Sequence, residues 1–214
     1  KTKQMKLKHF FALLLVALGL NQVQALTWDR QGWQKVTGEF DKSTIADYYF
    51  AFADYNDVNL LLTTERANLN GNDTHALFYR MTDPNTNHAA LFTLETNGTF
   101  LGMRNVQYSA MQFQTESSSS ATDPRWRFND VDAGNDWSKL RIEGSSDAYT
   151  LVSNMYGRAL GIYGDATGTP AEGNEVGANV TSAGQTFQIW AIKKADLLEK
   201  TIAGASETAP TDVT

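Results

Sequence analysis

Between residues 26 and 194 the apolar side chains fall in short runs, many alternating with polar ones, and clusters of Gly, Asn, Asp and Ser separate the runs. Alternation with a period of two places every second side chain on one face of an extended strand, while the polar clusters supply turn formers. The pattern predicts strands over residues 49–53, 60–64, 76–80, 91–95, 100–104, 111–114, 126–129, 139–143, 149–153, 159–163 and 186–192. None of these runs repeats its apolar positions at the helical spacing, so an all-β domain is expected.

Self-similarity sharpens this expectation. Asp54, Asn105 and Asn154 stand at intervals of 51 and 49 residues, and each follows a strand-like run. Six residues beyond each anchor lie Leu60, Met111 and Leu160, and eight residues beyond lie Leu62, Phe113 and Ile162. A strand, a turn built on Asp or Asn, and a second strand with apolar positions two apart would give this pattern. Three pseudo-repeats of about 50 residues with some four strands each predict a β-trefoil, a closed barrel capped by three hairpins. The segment 74–97 fits the repeat least well and has room for an extra hairpin.

A second series puts a bulky ring in an alternating run: Phe92-Thr93-Leu94, Trp126-Arg127-Phe128 and Phe187-Gln188-Ile189-Trp190. Its spacing is uneven, 34 and then 61 residues. Gln185-Thr186-Phe187 is similar to the Gln-x-Trp signature of ricin-type lectins, whose aromatic residue packs in the barrel core. Only the third copy carries the glutamine. The resemblance implies a ricin-type, lectin-like β-trefoil with carbohydrate as the ligand class.

The two ends read differently from the centre. Lys6 and Lys8 precede an unbroken apolar run from Phe10 to Leu20, and Val23-Gln24-Ala25 ends the segment with a small residue. These are the three parts of an export signal, so residues 1–25 are expected to be a cleaved signal peptide. As a helix the apolar run would reach only about 16 Å, against about 30 Å of bilayer hydrocarbon. No transmembrane span is then expected after cleavage. Residues 195–200 read as a short helix ending near Gly204, with Asp196 well placed against the helix dipole, and the polar stretch 206–214 reads as a linker. An export signal, a trefoil-like region at 26–194 and such a tail together resemble the N-terminal part of large secreted proteins of gut-dwelling Gram-negative bacteria. That resemblance implies export to the medium or the cell surface, with further modules beyond the linker.

Composition narrows the chemistry. The chain of 214 residues has no cysteine, which removes disulfides, thiolate metal sites and thiol nucleophiles. Its formal charge is −6, and the remainder is more acidic still once the leader lysines are gone, which disfavours nucleic acid as a partner. His75 and His88 lack any partner at metal-ligand spacing, and the serines at 117–120 lie outside any nucleophile elbow. Asp123, Asp130, Asp132 and Asp136 cluster around Trp126 and Trp137 and read as solvated turn acids, without the order of a calcium loop. The glycines of 161–168 lack the phosphate-binding order. No enzyme activity, cofactor or metal is therefore expected.

Binding fits a rigid β scaffold better, because loops carry recognition and aromatic rings stack on sugar faces. The candidate ligand residues are the anchors Asp54, Asn105 and Asn154 with the nearby rings Tyr55, Tyr108 and Tyr156. Taken singly, each of these residues is better explained as a turn former or a covering ring. The favoured reading is an exported carbohydrate-binding module, with glycan as partner. The alternative is a structural or protein-interaction module that docks neighbouring domains of a larger surface protein.

Overall fold

A computed structural model describes residues 32–64, 74–80, 85, 88–107, 111–115, 125–130, 134–165, 168–178 and 184–197. The expected leader, most of the C-terminal tail and Tyr108 lie outside the described residues.

The architecture is all-β. A short strand β1 (Gln34–Lys35) is followed by β2 (Tyr48–Asp54), β3 (Leu60–Thr63), β4 (Thr74–His75), β5 (Leu77–Arg80) and β6 (Phe92–Asn97). Next come β7 (Phe100–Asn105), β8 (Met111–Thr115), β9 (Trp126–Asp130) and β10 (Leu140–Ser145). The last group is β11 (Ala148–Ser153), β12 (Arg158–Ile162), β13 (Val176–Ala178) and β14 (Phe187–Lys193). Each predicted run overlaps one of these strands. The short β1, β4 and β13 were not legible, because their two or three residues form strands through their partners rather than through any apolar pattern of their own.

Six strands close into a barrel, in the order β2, β6, β7, β10, β11, β14 and back to β2, with every neighbouring pair antiparallel. Closure leaves none of these six with an unpaired edge, the usual liability of an all-β protein. The long seam pairs β14 with β2 from Phe187↔Asp54 to Lys193↔Tyr48. Three of the contacts around the ring oppose bulky side chains: Phe50↔Phe92, Leu101↔Leu140 and Tyr149↔Phe187. All six are buried and lie in one core cluster with Phe52, Leu94, Met103 and Ile189.

This pairing corrects the second aromatic series. Phe92 and Phe187 do occupy like places, but the residue between them is Leu140, not Trp126. Trp126 lies on β9 in a different part of the fold, which is why the spacing was uneven. Phe187, the ring of the Gln185-Thr186-Phe187 segment, is fully buried and stacks on Phe78 with centroids 6.0 Å apart.

The remaining strands pair as β3 with β5, β8 with β9, and β12 with β13. Backbone bonds tie these three pairs to one another: Ala76 N–H donates to Trp126 O (3.1 Å), and Val176 N–H donates to Ala76 O (2.9 Å). Leu62, Phe78, Phe113, Trp126, Ile162 and Val176 carry the core into this layer.

Alternation along β2 has a second consequence. Phe50 and Phe52 face the core, so Ala51 and Ala53 face outward, where their small side chains allow other segments close approach. Trp33 and Leu197, from opposite ends of the described chain, are buried in this outer cluster with Leu61, Leu91 and Ile192. Leu197 ends the described part of the expected helix, which is helical over residues 194–197. No helix among the described residues is long and apolar enough to cross a membrane.

Candidate functional site

The turn anchors are built from buried polar side chains. Asp54 closes β2, and its Oδ2 accepts the N–H groups of Asn56 and Asp57, both at 2.9 Å. Asn105 closes β7; its Oδ1 accepts the Gln107 N–H (2.9 Å), while Nδ2 donates to Ala89 O (2.9 Å) and Leu91 O (3.1 Å). Burial pushes the Asp54 carboxyl above its ordinary pKa, and the two backbone donors and nearby Asp57 only modify that shift.

The third anchor sits one residue earlier than the sequence alignment placed it. Tyr55 N–H donates to Thr186 O, Val106 N–H to Leu91 O and Asn154 N–H to Lys139 O, each at 2.9 Å. Asn154 thus occupies the place of Tyr55 and Val106, and the buried polar residue before it is Ser153. The turn after β11 is one residue shorter than the turns after β2 and β7, so an ungapped comparison slides the anchor forward. Ser153 Oγ donates to Thr115 Oγ1 (3.4 Å).

Asp54 and Asn105 therefore act as turn formers, 3% and 1% exposed, with the bonded atoms turned to the backbone. Asn154 is half-buried, and its Oδ1 accepts from Arg141 at 3.5 Å. Tyr55 is 38% exposed, on a turn also held by Gln188 Nε2–H donating to Tyr55 O (3.2 Å). Tyr156 is half-buried with the Arg158 guanidinium 5.6 Å from its ring centroid. Of the acid and tryptophan cluster, Asp123 and Asp132 lie outside the described residues; Trp126 is fully buried against Phe113, and Asp136 pairs with Lys139 at 2.9 Å. His75 lies on β4 and His88 on a short 3-10 turn, His88–Ala90, which leads into β6. Among the described residues no group of three or more His, Asp or Glu side chains is placed to hold a metal.

A cleft that the sequence did not reveal lies at the start of β2, away from the turn anchors, and none of the five described candidate residues lines it. Its volume is about 230 Å³. One wall is a strap, residues 36–44, laid across the barrel end. Gly38 N–H donates to Ser146 O and its carbonyl accepts the Tyr149 hydroxyl, both at 2.8 Å; Lys42 Nζ donates to Thr99 O at 2.7 Å. Val36 N–H donates to Ile189 O at 2.9 Å, so the strap is anchored on three strands or hairpins.

Phe50 floors the cleft; Phe40 of the strap lies 5.7 Å from it, tilted by 53°, and Tyr48 lies 6.4 Å from it, tilted by 43°. Glu39, Asp41 and Thr44 add oxygens to the lining. Asp41 accepts the Ser43 N–H at 2.8 Å, a bond that holds its carboxyl below the usual pKa. The lysine of the lining, Lys35, is engaged with Asp147 at 3.0 Å and lies 5.7 Å from the Trp190 ring. The cleft is made by strap and barrel together, so no single run of the sequence marks it.

No family model matches the chain, and no curated protein matches it. Solved structures do. The chain is similar to a designed three-fold symmetric protein, ThreeFoil, with 16% identity, a TM-score of 0.54, and coverage of 66% of this chain and 96% of that one. A mosquitocidal holotoxin gives 13% identity and a TM-score of 0.53 over 66% of this chain, but only 16% of its own length is covered. A Polyporus squamosus lectin bound to a human-type influenza-binding epitope gives 16% identity and a TM-score of 0.50, over 66% of this chain and 48% of the lectin. The designed protein and the lectin are β-trefoils, and the closed barrel with its extra strands fits that type.

Proposed function

We propose that the protein is an exported, non-catalytic carbohydrate-binding module, built as a β-trefoil of three pseudo-repeats. The repeat reading is supported by the like core pairs Phe50↔Phe92, Leu101↔Leu140 and Tyr149↔Phe187 and by the like junction bonds from Tyr55, Val106 and Asn154. Export is supported by the basic and apolar order of residues 6–25. The observation that carries sugar binding is the likeness of this barrel to a lectin that holds a glycan epitope. Fold alone does not fix function. The turn rings Tyr55, Tyr108 and Tyr156 are one candidate place for the sugar.

The test is a glycan array probed with the full chain. Selective retention of some glycans over the rest is the expected result, and a uniform absence of signal removes the reading.

A second reading is favoured by a separate observation. The matched region of the holotoxin is a small part of a long chain, and here both ends of the described chain converge on the outer cluster around Ala51 and Ala53. A module that docks or spaces neighbouring domains fits that arrangement. This reading expects further domains in the natural polypeptide that co-purify with this one as a protease-resistant unit; their absence, or their separation on mild proteolysis, counts against it.

A further inference from the structure

We propose that the cleft beneath the strap is the carbohydrate site, and that it takes a single terminal sugar ring that is neutral or carries an amine, rejecting carboxylated and sulfated sugars. This rests on the reading of the protein as a glycan binder and adds the place and the ligand class.

Size comes first. A space of about 230 Å³ is below the roughly 300 Å³ at which pockets for larger ligands begin, so it suits one ring rather than a chain of them. Its walls have the right chemistry. The C–H face of a pyranose is apolar, and the half-buried rings of Phe40 and Tyr48, tilted by 53° and 43° against the buried Phe50 beneath them, flank the space. Hydroxyl groups at the sugar's edge need acceptors, which Glu39 and Asp41 supply at the rim.

Charge then selects the class. Lys35 lies against Asp147 and beside Trp190, so its charge is already partly offset before a ligand anion arrives. Glu39 and Asp41 leave the lining acidic, within a chain of net charge −6. A sugar carboxylate or sulfate brought beside them meets like charge as it loses water, whereas an ammonium group meets opposite charge. The strap is already fixed at Gly38 and Lys42, so little ordering remains for the ligand to drive. The turn rings offer less: Tyr55 stands 38% exposed on its turn, and Tyr156 lies against Arg158.

The experiment uses the full chain on an array of glycans ending in neutral hexose, N-acetylhexosamine, free hexosamine, sialic acid or glucuronate. Wild type, Tyr48→Ala, Asp41→Asn, the double variant Glu39→Gln with Asp41→Asn, and Tyr55→Ala are compared, with near-UV circular dichroism as the check on folding. The expected result is retention on neutral or amine-bearing termini, weakened about tenfold by Tyr48→Ala and unaffected by Tyr55→Ala. Asp41 is exposed, so Asp41→Asn keeps the test valid if the Tyr48 variant fails to fold; a severalfold loss on amine-bearing termini is expected. The double variant should narrow the gap between amine-bearing and acidic sugars. Binding lost in Tyr55→Ala but intact in Tyr48→Ala or Asp41→Asn overturns the site while leaving the glycan reading in place. Selective retention on sialic acid or glucuronate overturns the ligand class, and no retention of any sugar overturns both proposals.

Discussion

Asn105 uses both N–H bonds of its amide on the carbonyls of Ala89 and Leu91 and its oxygen on the Gln107 N–H, so a buried polar side chain is fully occupied. Asp54, in the like place at the end of β2, accepts two backbone N–H groups and, when ionised, has no hydrogen to donate. Its carboxyl pKa is raised by burial, which means that the folded state disfavours the ionised form. The resulting penalty is present at neutral pH, shrinks as pH falls through the raised folded value, and is gone below the unfolded value of roughly 4. Replacing Asp54→Asn keeps an acceptor for Asn56 and Asp57 and supplies an N–H donor. The variant should be more stable than the wild type at pH 7 by about 1 kcal/mol, with the advantage narrowing toward pH 4. Urea titrations at several pH values measure this; an advantage that grows on acidification contradicts the assignment. The converse change, Asn105→Ala, takes the side-chain donor from the Ala89 and Leu91 carbonyls, which keep the Thr64 and Val106 N–H groups, and the acceptor from the Gln107 N–H; it should cost about 1–2 kcal/mol, read as a lower urea midpoint with an unchanged slope.

At the scale of elements, the hairpin β10–β11 shows how local geometry fixes register. Gly144 has φ +120°, and a Cβ built there meets the carbonyl oxygen of Ala148, across the turn, and the backbone of Tyr149, its partner in the ladder. Gly144→Ala should therefore cost about 1–3 kcal/mol through strain alone, seen as a lower melting temperature. An equal effect from Gly98→Ala, where the added carbon meets nothing within 4 Å, would show that φ rather than crowding is decisive. Such hairpins were legible in advance because their strands alternate: the runs around Tyr149-Thr150-Leu151 and Phe100-Leu101 point alternate side chains inward. β13 was not, since Val176-Gly177-Ala178 carries a single β-branched residue and becomes a strand only by pairing with Leu160-Gly161-Ile162. The third anchor was misread by one residue for a related reason. Ser153 has neither the length nor the turn-forming habit of Asp54 and Asn105, so Asn154 beside it drew the alignment forward. The cleft was illegible altogether, because Phe40 and Tyr48 become neighbours of Phe50 only when the strap crosses the barrel end.

For the whole molecule the decisive contact is the seam between the first and last barrel strands. All seven residues of β2 pair with β14, so the ring cannot close until the C-terminal part of the domain is present. Trp33 and Leu197 brace the same seam from outside, over Ala51, Ala53 and Ile192, so both chain ends contribute to one structural joint. Pairings this distant in sequence place folding in the millisecond-to-second regime, because loop closure must precede the contacts that reward it. Two truncations separate the contributions. Ending the chain after Lys194 removes, of the described residues, only Leu197 from the outer cluster and should cost about 1.5–3 kcal/mol, with cooperative unfolding retained. Ending it after Thr186 removes β14, exposes Phe50, Phe52 and Tyr149 along the open ring, and leaves the outward pairing groups of β2 and β11 without partners. The expected result is loss of the cooperative urea transition in near-UV circular dichroism and strong binding of a hydrophobic dye. A cooperative transition with undiminished slope in that shorter chain would mean that the remaining five barrel strands bury a complete core on their own, and the seam would then be a lid on the barrel rather than the step that makes it.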